Sequence, residues 1–91
     1  SEMKAPRTYR HKNIADFNIT CLRVSTDRKS IIGKSLKELN LRAEYGVNIL
    51  GIKRNEVMLE SIQPEEIIKQ NDIVYIQGNQ SKIERFHKLL K

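Results

Sequence analysis

The chain has 91 residues, 38% hydrophobic and 31% charged, with one cysteine and a formal net charge of +6. That composition excludes a disordered or fibrous chain, and the length allows one domain built on a single core. No apolar run approaches the roughly 18 residues that span a bilayer, no signal-peptide h-region opens the chain, and a lone cysteine excludes an internal disulfide, so a reducing, cytosolic setting is expected.

A domain of this size buries only about 60 to 65% of its unfolded surface, which makes dimerisation an expectation. The positive charge is unevenly placed. Residues 1–13 carry Lys4, Arg7, Arg10 and Lys12 against Glu2, so of the 17 cations and 11 acids, 13 and 10 remain for the rest of the chain. With Pro6 and no apolar periodicity, this stretch reads as a basic linker. The tail is set at residues 1–16, its first three residues reading as a cloning remnant, and the domain at residues 17–91.

From Phe17 to Ser25, FNITCLRVS alternates, with Ile19, Cys21 and Arg23 on one face and Thr20, Leu22 and Val24 on the other, which predicts a first strand. Cys21 reads as a buried structural thiol, because no His, Lys or helix start adjoins it to activate it. Asp27-Arg28-Lys29 predicts a polar turn, and Gly33 a break after Ile31-Ile32. Ser35-Leu36-Lys37-Glu38 has the S-x-x-E form of a capping box and predicts a short helix carrying Leu36, Leu39 and Leu41 inward.

Gly46 predicts the end of that helical region. Val47–Arg54 is the second strand, rich in branched residues and interrupted by Gly51. Asn55-Glu56 predicts a turn and Val57–Leu59 a short third strand. Pro64-Glu65-Glu66 has the composition of a helix start, which predicts one helical turn over Glu65–Lys69. Ile73–Gln77, ended by Gly78, is the fourth strand. Ser81-Lys82-Ile83-Glu84 repeats the capping-box pattern and opens a terminal amphipathic helix, with Ile83, Phe86, Leu89 and Leu90 on one face and Lys82, Arg85 and Lys88 on the other. Strands and helices interleave, which predicts an α+β fold: a small, mostly antiparallel sheet packed with two or three helices.

Catalytic signatures are missing. His11 and His87 have no Cys, His or acid at ligand spacing, so neither a metal nor a cofactor is expected. Gly33-Lys34-Ser35 imitates the end of a phosphate loop but lacks its upstream Gly, and reads as a turn plus a helix cap. The adjacent acids Glu65-Glu66 suit a helix start better than acid–base chemistry. The chain is therefore not expected to be an enzyme.

The order IIGKSLKELNLRAEYGVNILGIKR from Ile31 to Arg54, followed by a Pro, then NDIVYIQG, then a terminal amphipathic helix, resembles the RCK-C family, also called TrkA-C. The resemblance covers roughly Ile19 to Leu90. It implies a dimeric module at the cytoplasmic face of the cell membrane, attached in cis or in trans to a potassium channel, a potassium transporter or another cation carrier, where it senses a ligand. In several Gram-positive members that ligand is cyclic di-AMP, held across the two-fold interface. The positions matching its contacts are Leu36 for apolar contact, Arg42 and Asn48 for polar contact, and Pro64 for packing on the ligand. The residue before that asparagine, often histidine in the family, is Val47 here, and its position implies that it too belongs to the ligand-binding set.

The residue chemistry is compatible with such a role. A two-fold symmetric anion suits an isologous interface, since each subunit presents the same Arg to one phosphate, and the guanidinium fork matches phosphate oxygens. Asn48 can donate to a phosphate or accept from a base edge. Leu36, Ile49 and Pro64 would form apolar walls. Alternatively, Arg42 lies along the surface paired with Glu44 or Glu38, and Asn48 satisfies a turn. Two other readings of the whole domain stand beside ligand sensing. One is a dimerisation module without ligand. The other is a nucleic-acid binder using the tail and the Lys82/Arg85/Lys88 face, disfavoured because Phe17, Tyr75 and Phe86 read as core rather than as a stacking platform.

Overall fold

In the computed structural model, which describes residues 18–91, the chain runs through β1 (Asn18–Arg23), α1 (Leu36–Leu39), α2 (Leu41–Tyr45), β2 (Asn48–Arg54), β3 (Val57–Met58), β4 (Ile73–Gly78) and α3 (Gln80–Leu89). The basic tail, His11 and the expected strand start at Phe17 lie outside the described residues. The four strands form one antiparallel sheet in the order β1-β4-β2-β3. This is the expected α+β architecture, with two of the three helices reduced to single turns.

The two inner strands set the parity of the sheet. In β4, Val74, Ile76 and Gly78 are buried while Ile73, Tyr75 and Gln77 are half-buried on the other face. In β1 the same alternation buries Leu22 and leaves Ile19, Cys21 and Arg23 exposed. Burial of Cys21 was the sequence expectation, and its exposure corrects it: the apolar helices cover only the face carrying Leu22 and Val24, so the odd-numbered side chains of β1 stay outside. Tyr75, read as core, lies on that same outer face opposite Cys21.

The covered face packs Leu22, Val24, Ile52, Val74 and Ile76 against Leu41, Ile83, Phe86 and Leu90. Burying each of these large side chains contributes about 1.5 to 3 kcal/mol. Helix α3 presents Ile83 and Phe86 inward, as its spacing predicts, with Leu90 just beyond its end. Its cap, however, is Asn79, whose side-chain oxygen accepts from Lys82 N–H at 2.9 Å. The expected cap, Ser81, lies inside the helix and donates its hydroxyl to Asn79 Oδ1 at 3.1 Å. Starting the helix two residues earlier follows directly from the end of β4 at Gly78.

Helix α2 docks on α3 through Tyr45 and Phe86, whose ring centroids are 5.6 Å apart. Arg85 stacks over Tyr45 at 5.5 Å and donates to Glu44 O at 2.6 Å, supplying a partner to a carbonyl at the helix end. Gly46 then reverses the chain with φ +70, a left-handed conformation that favours glycine.

The segment after β3 departs most from expectation. Glu65–Lys69 is not a helical turn. Its backbone pairs with the residues around α1: Leu36 N–H donates to Glu66 O at 2.9 Å, Lys37 N–H to Pro64 O at 2.8 Å, Gly33 N–H to Ile68 O at 3.0 Å and Ile68 N–H to Lys34 O at 3.1 Å. These bonds across two segments replace the local bonds a helix would have made, while Ile68 enters the core at 2% exposure. Local helix-start composition is outcompeted by tertiary pairing.

Arg54 locks this segment to the sheet. Its Nε and Nη2 donate to the two carboxylate oxygens of Asp72 at 2.8 and 2.9 Å, Nη2 also to Ile67 O at 2.9 Å, and Nη1 to Glu66 at 3.3 Å. Asp72, 1% exposed, further accepts Lys69 N–H at 2.9 Å. The Asp72 hydrogen bonds raise the arginine's pKa above its ordinary value. A raised cation contributes its stability at every pH below the unfolded pKa, so the lock holds throughout the physiological range. Asp72→Asn should cost about 3 kcal/mol, since it leaves a largely desolvated guanidinium with only the longer Glu66 contact to balance its charge. Glu66→Gln, at a half-exposed and longer contact, should cost about 1 kcal/mol or less. Urea denaturation of both variants checks the order: a larger loss for Glu66→Gln would contradict this account.

Candidate ligand-binding site

A cavity of about 410 Å³ opens between α1, α2, the start of β2 and the connection around Pro64. Strand β3 pairs only with Lys53 and Arg54, so the first half of β2 has no neighbour on that side and leaves room for the cavity. Its apolar lining is Leu36, Leu41, Ile49, Ile62 and Pro64; its polar lining is Lys37, Asn40, Arg42, Asn48 and Gln63. Two cations and three amides thus converge with no carboxylate among the lining residues.

Each part is held from behind. The Ser35 hydroxyl accepts Glu38 N–H at 3.1 Å, and Glu38 returns a carboxylate oxygen to Ser35 N–H at 2.9 Å, the reciprocal cap its sequence predicts. The N–H groups of Leu36 and Lys37 are occupied by carbonyls of the connection, which fixes α1 against the Pro64 wall. Asn40 adopts a left-handed conformation with φ 48 and bends the chain between α1 and α2. Asparagine tolerates that region better than most residues. The bend places Leu41 in the core and Arg42 on the cavity rim.

Of the residues singled out from sequence, Leu36, Arg42, Asn48, Ile49 and Pro64 are brought together in this one cavity. Val47 is the correction. It is fully buried at 0% exposure and packs toward Gly78, with Val47 Cγ1 3.1 Å from where a Cβ on Gly78 would stand, so it does not line the cavity. Arg42 is exposed and, among the described residues, forms no ion pair with Glu38 or Glu44. Lys37, Asn40, Ile62 and Gln63 were not singled out. Lys37 and Asn40 are neighbours of the helix signal, but Ile62 and Gln63 carry no pattern of their own and reach the site through the pairing of their segment with α1.

The family model described as the TrkA-C domain matches residues 22–91. The Ktr system potassium uptake protein C of Bacillus subtilis (strain 168) is 40% identical over 58 residues, covering 64% of this chain and 26% of the relative. The chain therefore spans about a quarter of the length of that relative. The solved RCK C domain of the potassium transport protein KtrA, in complex with cyclic di-AMP, superposes with a TM-score of 0.68 at 29% identity, covering 90% of this chain and 94% of that one. The RCK_C domain dimer of S. agalactiae BusR in complex with c-di-AMP superposes with a TM-score of 0.72 at 26% identity, covering 79% and 93%. BusR has also been solved in complex with its busAB-promotor DNA, and this chain covers 35% of that longer chain.

The capping box generates a pH signature. Hydrogen bonds from the Ser35 backbone, then from its side chain, hold the Glu38 carboxyl below its ordinary pKa. A depressed carboxylate stabilises above its unfolded pKa, and that contribution is lost as pH falls through the folded value. The stability difference between wild type and Glu38→Gln should therefore be present near neutrality and shrink progressively as pH falls below the ordinary carboxylate range, as read by denaturation across that range. A difference independent of pH would show that Glu38 acts without its charge.

Proposed function

The chain belongs to the TrkA-C domain family, and we propose that it is a regulatory ligand-binding module of a potassium or other cation transport system, binding cyclic di-AMP between two copies of itself at the cytoplasmic face of the membrane. The observation that carries this reading is the composition of the cavity: Arg42 and Lys37 beside Asn48, over walls of Leu36, Ile49 and Pro64, with no acid among the lining residues. Such a surface favours an anion that also has flat apolar parts.

The cavity's 410 Å³ lies within the range of small-molecule sites, but it is open on one side. A second copy placed by a two-fold axis would close it and duplicate every contact, so each phosphate of a symmetric dinucleotide meets one Arg42. The Ktr relative and the two neighbours solved with the dinucleotide support this reading by similarity. Regulation then consists of ligand favouring one arrangement of the two copies over another, with the shift limited by its differential affinity for them. The proposed task is binding, carried by the cations and amides of the lining.

Titration calorimetry with cyclic di-AMP should give saturable binding at one dinucleotide per two chains. Arg42→Ala should weaken it by about 1.5 to 3 kcal/mol, the scale of a charge-assisted contact, with little change in the melting temperature of the ligand-free domain. Sedimentation without ligand, read together with the titration, separates this from a ligand-free dimerisation module, which would be dimeric and give no heat with the dinucleotide. A stable dimer that ignores the dinucleotide, or an Arg42→Ala variant that binds as wild type, refutes the ligand assignment.

A further inference from the structure

The outer face of the sheet carries a second concavity, of about 270 Å³, which the proposed function does not use. It follows from strand register. Arg23 on β1 and Lys53 on β2 both pair with Ile73 on β4, so the three form one row across the sheet with a cation at each end. In the next row Cys21 and Gly51 both pair with Tyr75. The Tyr75 ring stands beside the small, exposed Cys21, and the hollow lies there, while on its other side Gly51 is covered by Met58, whose sulfur would lie 3.3 Å from a Cβ on Gly51. Asn55 and Asn71, both at positive φ, close its end.

The two cations are two strand spacings apart at the backbone, roughly 9.5 Å, a gap that long side chains can span to meet at one anion. Arg23 forms no ion pair among the described residues, and Lys53 meets only Glu56, at 4.0 Å, where Glu56 is 94% exposed. That contact sits at the outer limit of an ion pair and is screened by water, so it is weak. An arriving phosphate can displace it. Tyr75 and Ile73, both half-buried, supply a flat apolar floor for a ring.

The geometry points to a second small-molecule site here, for a compound that joins one phosphate to one planar ring: Arg23 and Lys53 take the phosphate, and the ring lies on Tyr75 beside Cys21. This site lies on the opposite face of the sheet from the helices, shares no lining residue with the Arg42 cavity, and stands whatever that cavity binds.

Cys21, the chain's one cysteine, is an exposed reporter in the hollow. Phenyl phosphate serves as the probe and inorganic phosphate as its ringless comparison, with the rate of Cys21 alkylation by iodoacetamide as the readout. Millimolar phenyl phosphate should slow alkylation several-fold in wild type and equally in Arg42→Ala, and inorganic phosphate should protect less. Arg23→Ala with Lys53→Ala should raise the half-protecting concentration at least about tenfold, and Glu56→Gln, which removes the competing carboxylate, should lower it. The melting curve of each variant without probe establishes that it is folded. Unchanged alkylation in wild type, protection that survives loss of both cations, or protection lost in Arg42→Ala would each overturn the assignment.

Discussion

One charged contact ties the long connection from Leu59 to Asp72, which has little regular structure, to the sheet. Arg54 leaves the end of β2 and spreads its fork over Asp72, Glu66 and the carbonyl of Ile67. The stretch from Leu59 to Asp72 contains no helix and no paired strand apart from one bridge between Ser35 and Ile67, so its path is fixed by backbone bonds to the residues around α1, by buried Ile68 and, on the sheet side, by Arg54. A bidentate pair with a nearly inaccessible carboxylate is directional as well as strong, and it defines the segment's position more sharply than apolar contact would. Pro64 and Ile62, two walls of the cavity, are carried on that segment.

The other side of the segment is tied to α1, whose first N–H groups donate to its carbonyls. Sheet, connection and helix are thereby linked in series: Arg54 to Glu66 by side chain, Glu66 to Leu36 by backbone. The cavity floor and walls come from all three, which allows a four-residue helix to hold Leu36 and Lys37 in place although an isolated turn of that length has no stability of its own.

Strand β2 serves both faces of the sheet because of an irregularity. Ile49 pairs with Ile76, and Gly51, not Leu50, pairs with Tyr75. The extra residue reverses parity, so Ile49 shares the covered face of Ile76 while Gly51 and Lys53 share the outer face of Tyr75 and Ile73. Without it, Ile49 and Gly51 would lie on the same face. The placement of Ile49 at the cavity and of Lys53 at the hollow beside Tyr75 both depend on this one inserted position.

The sequence by itself determined the elements that rest on local physics: the period-two strands, the Ser35–Glu38 cap, the turn at Gly46 and the apolar stripe of α3. It also marked Leu36, Arg42, Asn48 and Pro64 through the resemblance of the ordered pattern to the TrkA-C family, with Ile49 as an apolar wall beside them. Only the tertiary structure decided which face of β1 is covered, and so that Cys21 is exposed. It also decided that Val47 points into the core, that Glu65–Lys69 pairs with the residues around α1 instead of coiling, and that Arg54 finds Asp72 at 2.8 Å. Each of these outcomes depends on partners distant in the chain, and hydrophobic period and capping composition report only what a segment prefers alone.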